Sequence, residues 1–363
     1  MGKVLEYRRG PATISSGGER ETYAIVEHAD ALTCYDNWPS PTVIISDGPY
    51  GLAKFPGDPK STDSLASIYA PHVAAWSKYA LPQTTLWFWC SELGWAEVHA
   101  LLKTHGWQYK AAHIWDKGIG HVAGNSNGDS IRGFPVVSEI CVQYVREVRL
   151  QDIDGNDLPL KLWLRREWQR SGIPLSRTNE ACGVKNAATR KYFTQCHLWY
   201  FPPADKMVAL AEYANKFGMS THRPYFSLDG KTILTYEQWD ILRAKWNHVY
   251  GTTNVWQEPA VRGNERIKLK GLKALHANQK PLKLMRRLIQ VSSDKGDVIW
   301  EPFGGLCSAS VAALELERIS YAAELVGEFY EAAYERLRNL QNEILKKQNG
   351  KHESKFSKAV RAK

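Results

Sequence analysis

Asp47, Gly48, Pro49 and Tyr50 stand together at the end of the apolar run Val43-Ile44-Ile45-Ser46. Within four residues the chain offers a carboxylate, a backbone carbonyl at Gly48, a proline that stiffens the turn through its fixed φ, and an aromatic ring. These groups suit a planar amine. An exocyclic amino group on a nucleobase is a poor nucleophile because its lone pair is delocalised into the ring. A carboxylate beside a carbonyl can draw both N–H bonds towards acceptors, and Tyr50 offers a ring on which the base can stack. Asp-Gly-Pro is also ordinary turn chemistry, so the loop acquires meaning only from a second element.

That element lies near the other end of the chain. Asp297-Val298-Ile299-Trp300 is again an apolar run, and it stops at Glu301-Pro302-Phe303-Gly304-Gly305. Both runs read as buried parallel strands that deliver a polar loop to the carboxyl edge of a sheet, where open α/β sheets bind ligands. Ser308 to Leu314 is a small-residue run with helical spacing. Glycines ahead of such a helix let backbone approach a ligand at its N-terminus. Tyr321-Ala322-Ala323-Glu324 reads as the next strand, ending in an acid placed to hold ribose hydroxyls. A glycine loop with a downstream acid points to a nucleoside cofactor.

Taken together, these motifs resemble the DNA amino-methyltransferases that use S-adenosylmethionine, in the β arrangement, where the catalytic motif precedes the cofactor motif. Asp47-Gly48-Pro49-Tyr50 is similar to the family's Asp-Pro-Pro-Tyr. The segment from Glu301 to Ser308 is similar to its Asp-Pro-Phe-x-Gly-x-Gly-Thr, and His276-Ala277-Asn278-Gln279-Lys280-Pro281 resembles its His-Pro-x-Gln-Lys-Pro. Glu27 to Leu32 resembles a Gly-Asp-x-Leu segment near the cofactor adenine, and Val136 to Tyr144 resembles a late strand that begins with a Glu. The likeness covers roughly 20–150 and 270–340. It implies catalytic roles for Asp47, Gly48, Pro49 and Tyr50. For S-adenosylmethionine it implies Asp30, Ala31, Asn278, Gln279, Lys280, Pro281, Glu301, Pro302, Phe303, Gly304, Gly305, Ser308 and Glu324. It further implies double-stranded DNA as partner, with a homodimer and a cognate restriction endonuclease as further companions. Gly48 keeps the acceptor carbonyl of the family's first Pro without its rigidity. Glu301 stands for Asp, and Cys307 for the last Gly. The leading Asp favours adenine N6 as target; cytosine N4 is the alternative, and a DNA-binding protein without catalysis is a third reading.

The expected architecture is α/β: a doubly wound, mostly parallel, Rossmann-like sheet with an inserted, mainly helical target-recognition domain. The boundaries read as 1–150 for the catalytic half, 151–270 for the insert, 271–343 for the cofactor half and 344–363 for a basic tail. Strands are expected over 86–90 and 107–115, with helices over 94–104 and 205–217 and helical spacing from Tyr236 to Tyr250. The trace Leu175 to Phe193 reads as two short helices broken at Gly183. Its second helix would offer Lys185, Asn186, Thr189 and Arg190 to a major groove; an ordinary charged surface helix is the other reading. Lys54 to Asp63 reads as a mobile loop or a plain connector, and Arg262, Arg266, Lys268, Lys270 and Lys273 as a basic linker.

A formal net charge of +9 over 363 residues suits a polyanionic partner. The tail concentrates it, with Lys346, Lys347, Lys351, Lys355, Lys358, Arg361 and Lys363, and reads as a disordered, phosphate-touching segment. The start carries no apolar core of a signal peptide, which points to the cytoplasm. Six cysteines form no C-x-x-C pair, so neither a disulfide framework nor a metal site is expected.

Overall fold

A computed structural model of the chain describes residues 4–13, 19–53, 58–122, 132–268, 274–276, 278–340 and 342–344. The tail from 345, residues 54–57 of the loop after Asp47, and Lys270 and Lys273 of the basic linker lie outside the described residues. The chain divides into two compact units, Met1–Val145 with Lys245–Lys363, and Arg146–Ala244.

The strands are β1 Val4–Thr13, β2 Glu19–His28, β3 Val43–Ser46, β4 Thr85–Cys90, β5 Trp107–Asp116, β6 Ser138–Arg146, β7 Arg149–Gln151, β8 Asp157–Pro159, β9 Val255–Gln257, β10 Val298–Glu301 and β11 Ile319–Glu324. Nine of them form one sheet, ordered β1-β2-β11-β10-β3-β4-β6-β5-β9. From β2 to β4 every neighbouring pair is parallel, whereas β1 and β6 run antiparallel to β2 and β4. The residues of β3 and β4 are buried along their whole length, as continuous apolar strands in a covered parallel sheet must be. This is the mostly parallel α/β architecture expected from the sequence.

The winding fixes where a ligand can sit. From β3 the chain crosses through helix Leu65–Tyr79 to β4 on one side, and from β10 through helix Ser308–Glu315 to β11 on the other. The direction therefore reverses between β3 and β10, which are paired in register Ile299↔Val43 and Trp300↔Ile44. Such a switch point opens a crevice at the carboxyl ends of its strands. Asp47 and Glu301, far apart in sequence, arrive there side by side.

The second unit has its own core, in which Trp163, Trp168, Phe226 and Trp239 are buried. An ion pair to a buried carboxylate braces it: Arg170 Nη2 lies 2.8 Å from Glu167 Oε2, which also accepts the Phe226 backbone N–H at 2.8 Å. Its helices include Leu160–Arg170 and Ala204–Phe217, in keeping with a mainly helical insert. The division differs from the boundaries read at 151 and 270. Residues 245–270 run with the sheet unit because β9 pairs with β5 and Lys245 binds Asp297 at 2.7 Å. The helical spacing read over Tyr236 to Tyr250 yields helix only at Tyr236–Asp240, under a Thr235–Gln238 capping box. No helix among the described residues is long and apolar enough to cross a membrane.

Candidate active site

The loop after β3 is held by Asp58. Its Oδ1 accepts the backbone N–H groups of Tyr50 and Gly51, each at 2.8 Å, and its Oδ2 accepts that of Leu52 at 3.0 Å. Tyr69 adds a hydrogen bond from its hydroxyl to the Pro49 carbonyl, 3.1 Å. The carboxylate and these donors supply the order that a second proline would otherwise give. Gly48 has a packing reason of its own. A Cβ there would stand 2.6 Å from the Tyr69 hydroxyl and 2.7 Å from Phe303, so the close approach of the two loops requires glycine.

Asp47 uses its two oxygens differently. Oδ1 receives the Lys280 ammonium at 2.7 Å and the Tyr50 hydroxyl at 3.0 Å. No described residue donates to Oδ2 or to the Gly48 carbonyl. Burial, reinforced by Asp47 and Glu139, pushes the Tyr50 hydroxyl well above its ordinary range, so it stays a donor.

Across the switch point the Glu301 loop is shaped by its own backbone. Gly304 donates to the Ala323 carbonyl at 2.8 Å, and a Cβ on it would meet that oxygen at 2.9 Å. Gly305 and Cys307 both take positive φ, +51°; at Cys307 an ordinary side chain occupies the left-handed position where the similar family motif has glycine. Glu301 caps the helix that follows. Its oxygens accept Ala309 N–H at 2.9 Å, Ser310 N–H at 2.7 Å and the Ser310 hydroxyl at 2.6 Å. Glu324 accepts the Gly305 and Val326 N–H groups at 2.6 and 2.7 Å. Helix N–H groups with a carboxylate at this end form a stable closure.

Burial pushes the Glu301 carboxyl up to about 7, against its hydrogen bonds from Ser310 and Ala309. A raised folded pKa contributes stability below the unfolded value, near 4.5, and that contribution is lost as pH rises through about 7. Wild-type protein is therefore expected to lose on the order of 3 kcal/mol relative to Glu301→Gln between about pH 5 and about pH 8. Urea midpoints across that range check it; parallel pH profiles would contradict it.

A cavity of about 310 Å³ joins the two loops, within the size range of small-molecule sites. Asp47, Gly48, Pro49 and Tyr50 line it. So do Asp30, Ala31, Asn278, Gln279, Lys280, Pro302, Phe303, Gly304, Gly305 and Ser308, together with the two glutamates just described. Three assignments change in detail. Pro281 is absent from the lining and caps helix Leu282–Ser292. Gln279 spends its amide on the backbone, donating to Glu265 O at 2.8 Å and accepting from Ile267 N at 3.1 Å. Lys280 points to Asp47. The sequence reading missed His72, Met285 and Phe329 of the lining, which carry no motif, and it named Glu139 only as the start of a strand. Glu139 lies 3.3 Å from Lys280 and also binds Lys117.

In the second unit, Gly183 does break two short helices, Thr178–Ala181 and Ala187–Lys191. Each is a single turn. Lys185 and Arg190 are exposed, and Asn186 is exposed at the N-cap. Thr189 is partly buried, and its hydroxyl meets Thr178 and Asn179 at 2.8 Å each, bracing the two turns. Among the described residues no group of three or more His, Cys, Asp or Glu side chains gathers as a metal site, and Cys196 is half of no disulfide.

Known proteins share parts of this chain. The type II methyltransferase M2.MboI of Moraxella bovis is 33% identical over 101 residues, 28% of this chain and 35% of that protein. M.HinfI of Haemophilus influenzae is 33% identical over 87 residues, 24% of each chain. The chain thus spans about a third and a quarter of these curated relatives. Among solved structures, an M1.HpyAVI–SAM complex overlays with a TM-score of 0.48 at 15% identity, covering 86% of this chain and 98% of that one. The cytosine-N4-specific PvuII DNA methyltransferase does so with 0.47 at 11%, covering 89% and 93%. A family model described as DNA methylase matches residues 42–335, a span that takes in both the Asp47 and the Glu301 loops and most of the chain; the chain belongs to this DNA methylase family.

Proposed function

We propose that this protein transfers a methyl group from S-adenosylmethionine to the exocyclic amine of a DNA base, with adenine N6 as the favoured target. One observation carries the reading. Asp47 Oδ2 and the Gly48 carbonyl are two acceptors on adjacent residues of the cavity wall, left without described donors, while Asp47 Oδ1 is already occupied. That is the acceptor pattern an amino group with two N–H bonds needs. The adenine preference rests on the leading Asp of the loop.

The second half of the cavity fits the cofactor. Gly304 and Gly305 line the cavity just ahead of the helix that starts at Ser308, and Glu324 closes β11 at the cavity wall, where a carboxylate suits ribose hydroxyls. Asp30, at the end of β2, lines the same wall. When bound, S-adenosylmethionine supplies an electrophilic methyl group. The chain's own residues do the rest by position: a base flipped from its stack lies against Tyr50, and Asp47 and Gly48 hold its N–H bonds so that the nitrogen lone pair turns out of the ring. Catalysis of this kind depends on placement and fixed charge. Transfer of label from S-adenosylmethionine to unmethylated duplex DNA tests the function; no transfer at any of several salt concentrations would overturn it.

Double-stranded DNA is the proposed partner and Arg146–Ala244 the proposed target reader, in the cytoplasm. A homodimer and a cognate restriction endonuclease are proposed from the family resemblance alone. With the Thr189 hydroxyl engaged by Thr178 and Asn179, Lys185, Asn186 and Arg190 are the exposed candidates for contact with DNA. Replacing Lys185 and Arg190 together by Ala is expected to weaken duplex binding about tenfold and to flatten its salt dependence, because a phosphate that is no longer neutralised keeps its counterions. Gel-shift titrations at two salt concentrations check this, and unchanged binding would exclude these residues.

A further inference from the structure

We propose that Lys280 is a positioning residue for the transfer step, holding one oxygen of Asp47 so that the other faces the target amine. The inference rests on the function proposed above and assigns Lys280 a role different from contact with the cofactor.

The Lys280 side chain is only 2% exposed, and its ammonium lies 2.7 Å from Asp47 Oδ1 and 3.3 Å from Glu139 Oε2. The rings of Tyr50 and Trp89 each stand 5.2 Å from it. The Tyr50 hydroxyl lies 3.0 Å from the same Asp47 oxygen and 3.4 Å from the same Glu139 oxygen. Lys117 binds the other oxygen of Glu139. Two carboxylates and two ammonium groups thus alternate along one chain, Lys117–Glu139–Lys280–Asp47, and their charges cancel.

Two consequences follow from that arrangement. Asp47 and Glu139 are close enough to share a hydroxyl and a lysine, and like charges so placed repel each other unless a cation stands between them. Removing Lys280 would leave the two carboxylates facing each other across the Tyr50 hydroxyl, with Lys117 beside Glu139 as the remaining cation, and would release Asp47 Oδ1 from its anchor. The second consequence is geometric: a buried ion pair adds little net stability because desolvation offsets attraction, yet it fixes the carboxylate, and charge-assisted bonds of this length are directional. Burial works to lower the Lys280 pKa, but Asp47 and Glu139 outweigh it and hold the ammonium above its ordinary range, so it remains a cation.

The test compares wild type, Lys280→Met, Lys280→Arg and the double variant Lys280→Met/Glu139→Gln. Each is measured for S-adenosylmethionine binding by calorimetry and for methyl transfer to duplex DNA. The expected result is a fall in kcat of about 100-fold for Lys280→Met, with cofactor affinity within about threefold. Arginine should restore much of the rate. The double variant should recover about tenfold over the single one, because the repelling carboxylate is gone. Because removing an uncompensated buried carboxylate also relieves instability, thermal melts accompany the rates: a double variant that recovers stability but not kcat would make Lys280 merely structural and overturn the proposal. Loss of cofactor affinity with kcat intact at saturation would make Lys280 a cofactor ligand and overturn the proposal, as would unchanged kcat. If Lys280→Met does not fold, the double variant carries the test, and transfer at the wild-type rate would overturn the proposal. Wild-type protein inactive on DNA would instead sink the function itself, and the inference with it.

Discussion

Asp47→Ala is expected to reduce methyl transfer at least about 1,000-fold while cofactor affinity stays within about threefold. The substitution removes the acceptor at Oδ2 and leaves Lys280, almost wholly buried, without its nearer counter-ion. Losing one oriented group that acts on the reacting centre typically costs about 10²- to 10³-fold, and an unpaired buried cation adds to that. The cofactor half is spared because Gly304, Gly305 and Glu324 are held by bonds among themselves and to Ala323 and Val326. Single-turnover kinetics and calorimetry with S-adenosylmethionine measure the two quantities. Collapse of cofactor binding would mean that the Asp47 loop belongs to the cofactor.

Gly48→Pro, the change that would make the loop match the Asp-Pro-Pro-Tyr motif it resembles, is expected to damage the protein. Any Cβ at this position meets the Tyr69 hydroxyl at 2.6 Å and the Phe303 ring edge at 2.7 and 2.8 Å. Those neighbours cannot retreat cheaply, because Tyr69 is fully buried and Phe303 packs its ring 4.8 Å from that of His72. Overpacking of this sort costs about 1–3 kcal/mol, and displacement by about 1 Å at a site of this kind costs about 100-fold in rate. Gly48→Ala should show the same defect in milder form. Adding Tyr69→Phe should relieve part of it, since the nearest clash is with the hydroxyl. Thermal melts and transfer rates follow both effects; a Gly48→Pro variant as stable and active as wild type would contradict the packing account.

The two loops were legible because each is a buried strand followed by chemistry, and short-range pattern reports such units directly. Glu301 shows where that reading stops: its identity as an acid after a strand was visible, but its three donors lie eight and nine residues on, in the helix it caps. Lys280 was visible as part of a motif, yet its partner is 233 residues away, a distance no local pattern spans. Gly48 read as a loss of rigidity, whereas Asp58 restores the order from a segment with no signature of its own. In the insert, the break at Gly183 was plain from composition, but the bracing of the Thr189 hydroxyl depends on Thr178 and Asn179 in the preceding helix. The edge strand β9 was missed as sheet because three residues carry too little alternation; its pairing with β5 is a tertiary fact.

The central claim is that Asp47 Oδ2 and the Gly48 carbonyl hold an exocyclic amine, and the modified nucleoside tests it most directly. Unmethylated duplex DNA would be incubated with the protein and S-adenosylmethionine, digested to nucleosides and analysed by chromatography with mass detection, beside an Asp47→Ala control. The account predicts N6-methyladenine with wild type and none with the control. N4-methylcytosine would keep the amine chemistry and replace adenine as its target, whereas a methyl group on a ring carbon, or product undiminished by Asp47→Ala, would contradict the claim.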